Sequence, residues 1–210
     1  MKLGGEVMDK EYLIRKMEKY ADEKGVPIME KDGIKFLTEF IKLNNVKNIL
    51  EIGTAIGYSA INMALSNPDV MITSIERDKD RYIEAVKNVK ELKLDDRITL
   101  ILADAFDFNT KEEYDLIFID AAKSQYLKFF DKFSNNLKEK GYIITDNIKF
   151  HGLTFSDKSK LSRNLRQLIT KLEKYVDFLK NNIDFKTRFF DIGDGIAIST
   201  RRNSKKWEIC

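Results

Sequence analysis

From Lys10 to Asn45 apolar residues recur every three or four positions. Leu13, Ile14, Met17 and Tyr20 share one face of "KEYLIRKMEKYADEK", and Gly25 with Pro27 break that pattern. Ile34, Phe36, Leu37, Phe40 and Ile41 repeat it in "EKDGIKFLTEFIKLNN". Both segments read as amphipathic helices. From Lys47 the period changes. Short apolar runs, "KNILEIG", "VMITSIE", "RITLILAD", "YDLIFID" and "GYIITDN", are separated by the helical stretches "YSAINMALS", "RDKDRYIEAVKNVKEL" and "SQYLKFFDKFSNNLKEK". Continuous apolar strands between amphipathic helices imply a mostly parallel sheet covered on both faces, a doubly wound α/β fold. A long basic helix follows, roughly Lys158 to Asn181. Then "DFKTRFFDIGDGIAISTRR" predicts two strands joined around Gly193 to Gly195, a hairpin adding an antiparallel edge.

Bulk composition narrows the class without choosing a function. The 210 residues suit one domain, and 43% apolar with 34% charged residues is ordinary globular composition. No apolar run approaches the roughly 20 residues that cross a bilayer, and the N-terminus lacks the features of a signal peptide, so a cytoplasmic setting is expected. One cysteine, Cys210, excludes an internal disulfide. The net charge of +3 is too small to demand a polyanionic partner, although the 37 Lys and Arg residues would serve one if clustered.

Chemistry concentrates where ligands collect in such sheets, at the carboxyl ends of the strands. "ILEIGTAIGYSA" puts Glu51 at the end of the first strand, Gly53 and Gly57 in the turn and Ser59 at a helix start. Glycines let backbone approach a ligand, and a helix N-terminus offers amide hydrogens to an anion. The spacing departs from Gly-x-Gly-x-x-Gly, and an acid ahead of the turn repels pyrophosphate but suits an ammonium. These features argue against an NAD-dependent oxidoreductase and for S-adenosylmethionine. Glu76, closing the second strand, can take two ribose hydroxyls, and Asp104 follows the third strand near the adenine. Asp120 ends the fourth strand, and Asp146 and Asn147 end the fifth. Two carboxylates and an amide suit a hard divalent cation such as Mg²⁺. Taken singly, each also reads as a helix cap or a turn residue, with Lys123 a solvated surface group.

"EIGTAIGYSA", "SIERD", "DAFD", "FIDAAKSQY", "TDN" and "IGDGIAIS", in this order and spacing, resemble the class I methyltransferases of the catechol and caffeoyl-CoA O-methyltransferase type. "KGVPIME" is similar to that family's N-terminal cofactor-contacting segment. One departure is Ala103, where the family commonly has glycine. The resemblance implies a Rossmann-like, seven-stranded fold in one methyltransferase domain over 1–210, with a helical cap at 1–45 and the core at 46–202. It implies cofactor contacts at Met29, Glu51, Gly53, Gly57, Tyr58, Ser59, Glu76, Asp104, Ala105 and Asp120, and metal ligation by Asp120, Asp146 and Asn147. Lys123, with Asp120, inherits the catalytic role at the substrate hydroxyl.

The acceptor expected for such a site chelates the metal through two neighbouring oxygens. "VPIM" and "DNIKFHG" most resemble the bacterial branch that methylates 5-hydroxyuridine in tRNA to 5-methoxyuridine. A tRNA partner is therefore expected, with a small-molecule catechol or caffeoyl-CoA-like acceptor as the alternative. Lys158, Lys160, Arg163, Arg166, Lys171, Arg201 and Arg202 are available to meet phosphates, although Glu173 and Asp177 allow a merely solvated helix. His151 is a weaker candidate for a base, Trp207 and Cys210 read as peripheral, and a homodimer is the expected default.

Overall fold

The computed structural model describes residues 10–149 and 161–203. His151, Lys158, Lys160, Trp207 and Cys210 lie outside them. The two predicted N-terminal helices form as α1 (Lys10–Lys24) and α2 (Lys31–Leu43), followed by β1 (Asn48–Ile52), α3 (Tyr58–Ser66), β2 (Met71–Glu76), α4 (Lys79–Glu91), β3 (Ile98–Leu102) and β4 (Tyr114–Ile119). A 3-10 turn, Lys123–Gln125, then leads into α5 (Tyr126–Ser134), β5 (Leu137–Thr145), α6 (Arg163–Asn181), β6 (Phe185–Phe190) and β7 (Ile196–Arg201).

The strands form one seven-stranded sheet in the order β3-β2-β1-β4-β5-β7-β6. The pairs β1–β2, β2–β3, β1–β4 and β4–β5 are parallel, while β7 runs against both β5 and β6. The expected doubly wound sheet with an antiparallel C-terminal hairpin is therefore what the chain builds.

Each buried strand sends alternate residues to opposite faces, so both need cover. Ile49, Leu116, Phe118 and Ile198 join Leu13, Met17, Leu37, Ile41 and Ile61 of α1, α2 and α3 in one core layer. Leu50, Ile52, Ile117, Ile119 and Ile143 join Tyr126, Phe130, Leu172 and Tyr175 of α5 and α6 in the other. The apolar face of the N-terminal helices is thus satisfied within this chain.

One element departs from the sequence reading. The predicted helix "SQYLKFFDKFSNNLKEK" ends at Ser134, and Leu137 already pairs with Tyr114 as the start of β5. The charges of "LKEK" resemble a helix's solvent face, but they belong to the half-exposed first part of a strand whose register shifts between Tyr114 and Leu116. Only "GYIIT" carries the continuous apolar signature of a buried strand.

Candidate functional site

Parallel register brings the strand ends level. Ile52 pairs with Ile75 on one side and Ile119 on the other, and Ile119 pairs with Thr145. Backbone bonding continues one residue further: Gly53 N–H donates to Ile75 O at 3.0 Å, Asp120 N–H to Ile52 O at 3.0 Å, and Asp146 N–H to Ile119 O at 3.2 Å. Gly53, Asp120 and Asp146 therefore sit on rigid extensions of the sheet. Gly53 and Asp120 border a cavity of about 400 Å³ at this edge, whose wall also includes Ala55, Glu76, Asp104, Ala105, Lys123 and Asn147.

The turn after β1 requires its glycines. Gly53 has φ 103°, and a Cβ there would lie 2.1 Å from the carbonyl oxygen of Asp120. Gly57, at φ 85°, caps α3 in the left-handed region. Glu76 is clamped: one carboxylate oxygen accepts from Ala55 N–H and the other from Asp78 N–H, each at 2.8 Å. Its remaining lone pairs are those a ribose diol would use. Asp104 accepts from Phe106 N–H at 2.9 Å, and the Phe106 ring stacks on Phe129 at 4.8 Å, giving the far end of the cavity a flat apolar wall.

Glu51 sits elsewhere than its motif suggests. It is wholly buried beneath the turn, accepting from Ser59 Oγ at 2.5 Å and from Ser74 Oγ, and is not part of the cavity wall. Burial pushes its carboxyl up to about 7, against the opposing pull of the two serines. Its place and that of Ser59 make them a brace under the glycine turn. Tyr58 likewise packs into the core, where its hydroxyl donates to Glu18 at 2.9 Å and ties α3 to α1. Met29 is buried against Gly33 while its neighbours Pro27 and Ile28 reach the cavity.

At the other end, burial raises the carboxyls of both Asp120 and Asp146. Asp120 adds to the rise at Asp146, and Lys123 opposes it at both. Asn147, at φ 60°, donates its side-chain amide to Asp146 Oδ2 at 2.7 Å, leaving the amide oxygen as its group suited to a cation. Among the described residues no group of three or more His, Cys, Asp or Glu is disposed around a metal position. The set expected from the sequence would offer two carboxylates and one amide. Asp146 is buried and Asp120 half-buried at the neighbouring strand end, and two such carboxylates stay anionic together only with a positive partner, so the set fits a hard divalent cation.

The structure thus collects Gly53, Glu76, Asp104, Ala105, Asp120, Lys123 and Asn147 at one cavity, with Asp146 buried beside Asn147. Met29, Glu51, Gly57, Tyr58 and Ser59 are not part of its lining. Sequence reasoning missed Arg77, Arg81, Gln125 and Phe129 in the wall, as well as buried Asp194, whose charge reaches Asp146. Of these, "SIERD" and "FIDAAKSQY" contained Arg77 and Gln125, and "IGDGIAIS" contained Asp194, without a spacing that singled them out.

A sheet of this order, with glycines and an acid at its first two strand ends, belongs to the doubly wound class that binds nucleotides at its strand ends. A family model described as O-methyltransferase matches residues 6–202. Tapetum-specific methyltransferase 1 of Arabidopsis thaliana is 31% identical, over 85% of this chain and 78% of its own length. Caffeoyl-CoA O-methyltransferase of Populus kitakamiensis is 28% identical, over 88% and 82%. A solved Staphylococcus aureus structure, provisionally assigned as a caffeoyl-CoA O-methyltransferase, superposes with a TM-score of 0.85 at 37% identity, over 90% of this chain and 91% of that one. The chain belongs to the O-methyltransferase family and is an S-adenosylmethionine-dependent enzyme of that kind.

Proposed function

We propose that this enzyme moves the methyl of S-adenosylmethionine to a hydroxyl whose neighbouring oxygen lets the pair bind a divalent cation, Mg²⁺ for example, held by Asp120, Asp146 and Asn147. The observation that carries the reading is the carboxylate pair at adjacent strand ends, Asp146 buried and Asp120 half-buried, beside the cavity that holds Gly53, Glu76 and Asp104. A bound cation would supply Lewis acidity, making the acceptor hydroxyl easier to deprotonate. Lys123, on the turn after Asp120, takes up or balances the hydroxyl proton. Glu76 orients the ribose, and the Gly53 turn admits the methionyl part so that methyl and acceptor oxygen meet in line.

The acceptor we favour is a small molecule bearing a catechol, because the curated relatives carry names such as caffeoyl-CoA O-methyltransferase. A second reading, 5-hydroxyuridine in tRNA, is supported by one specific observation. Helix α6 packs on the turn carrying Lys123, and Arg163, Arg166, Lys171, Lys174 and Lys180 of that helix are exposed. Those charges offer a phosphate backbone a sequence-independent hold. A cytoplasmic homodimer completes the proposal, on the strength of the single cysteine and the prevalence of twofold pairing.

The test is methyl transfer from radiolabelled S-adenosylmethionine, with Mg²⁺ or with chelator, to a catechol panel and to tRNA carrying 5-hydroxyuridine. Label in catechols that is lost with chelator and in Asp146→Ala supports the favoured reading. Label only in tRNA moves the enzyme to the second, and transfer undiminished by chelator removes the cation from both.

A further inference from the structure

We propose that Tyr126 is a positioning residue for the cation site: with a cation bound, its hydroxyl would donate to the Asp120–Asp146 carboxylate pair and fix the oxygens that grip the metal. The inference rests on the reading above that this pair holds a divalent cation. Tyr126 opens α5, on the segment that leads from Asp120 through Lys123. Its side chain is wholly buried, and its hydroxyl meets no hydrogen-bond partner among the described residues.

Buried polar groups are nearly always bonded, so an O–H left over in a core calls for an acceptor. The charges that bear on this hydroxyl are those of Asp120 first, then Asp146, with Asp194 beyond. A phenol keeps its proton at neutral pH, so this hydroxyl is available as a donor. The neighbouring hydroxyl is already engaged, since Tyr175, edge-on to Tyr126 at 5.6 Å, is hydrogen-bonded to Thr145 Oγ1 at 2.6 Å. Asn147 already donates to one oxygen of Asp146. Carboxylates that hold a cation have lone pairs left over, and in a dry corner those need donors. Among the described residues, Tyr126 is a buried donor with none of its capacity spent.

The opposing account is that Tyr126 only fills the core, and Tyr126→Phe separates the two because it keeps the ring and its contact with Tyr175. Calorimetry of Mg²⁺ and Mn²⁺ binding to the full chain, alongside cofactor-product affinity and melting temperature in chelator, is the measurement. A positioning role raises the cation dissociation constant about tenfold or more, leaves cofactor-product affinity unchanged, and does not lower the melting temperature in chelator. A purely structural role lowers that temperature and leaves cation affinity at the wild-type value, which overturns the inference. Wild-type protein that binds neither cation removes the metal reading and this inference with it. Should Tyr126→Phe fold poorly, labelling the unmutated chain with 3-fluorotyrosine keeps every ring in place. A buried fluorine resonance that moves with Mg²⁺ supports the role, and none moving overturns it.

Discussion

At the scale of single residues, Glu51 has the sharpest consequence. Its carboxyl rises from 4.5 to about 7 because burial penalises the anion. Between those values the folded chain holds a proton that the unfolded chain has released, so stability falls as pH rises through that window. The Asp120–Asp146 pair contributes a slope of the same sign when no cation is bound. We expect Glu51→Gln to flatten the fall in melting temperature from pH 4.5 to about 7, measured in chelator. A wild-type slope in the variant would return the proton to other groups. The carboxylate was legible in "ILEIG" as an acid ahead of a glycine turn, but its burial was not. Whether such an acid faces the ligand or the serines beneath depends on Ser59 and Ser74, and Ser74 lies on the next strand.

Among the elements, the layer under α5 and α6 backs the turn that carries Lys123. Phe130 is buried there with its ring 5.1 Å from Phe185, 5.3 Å from Phe178 and 6.3 Å from Tyr175, joining α5, α6 and β6. Phe130→Ala is expected to destabilise the fold by about 3–5 kcal/mol in chemical denaturation. Most elements were legible because short apolar runs, such as "LIFI" in β4 and "YII" in β5, mark strands covered on both faces. The first half of β5 was not, because it lies where the sheet's cover thins and its charges reach water. Cavity residues such as Arg77 and Phe129 were illegible for a different reason: they reach the cavity from helices or turns whose rotation about the sheet no linear spacing records.

The whole molecule carries a charge of only +3, yet its field is uneven. Five exposed basic residues ride on α6, against Glu173 and Asp177 on the same helix. Reversing two of them, Arg163→Glu with Arg166→Glu, should leave transfer to a small catechol unchanged. Any transfer to tRNA should fall, with a shallower dependence on salt because fewer phosphates are neutralised. Rates measured across a salt series for both acceptors test this, and equal losses on both would mean the helix acts on the fold instead.

Gly53 and the carbonyl of Asp120 are so close that not even a methyl fits between them. The turn that would embrace the methionyl group and the strand end that would hold the cation therefore move as one body. Two ligands seated on one body communicate, and thermodynamics makes the traffic reciprocal: whatever factor the cofactor contributes to cation affinity, the cation returns to cofactor affinity. Calorimetric constants for each ligand, with and without the other, should close such a cycle with a factor different from one. Gly53→Ala, by forcing the two segments apart, should bring that factor towards one and leave an enzyme whose halves load independently.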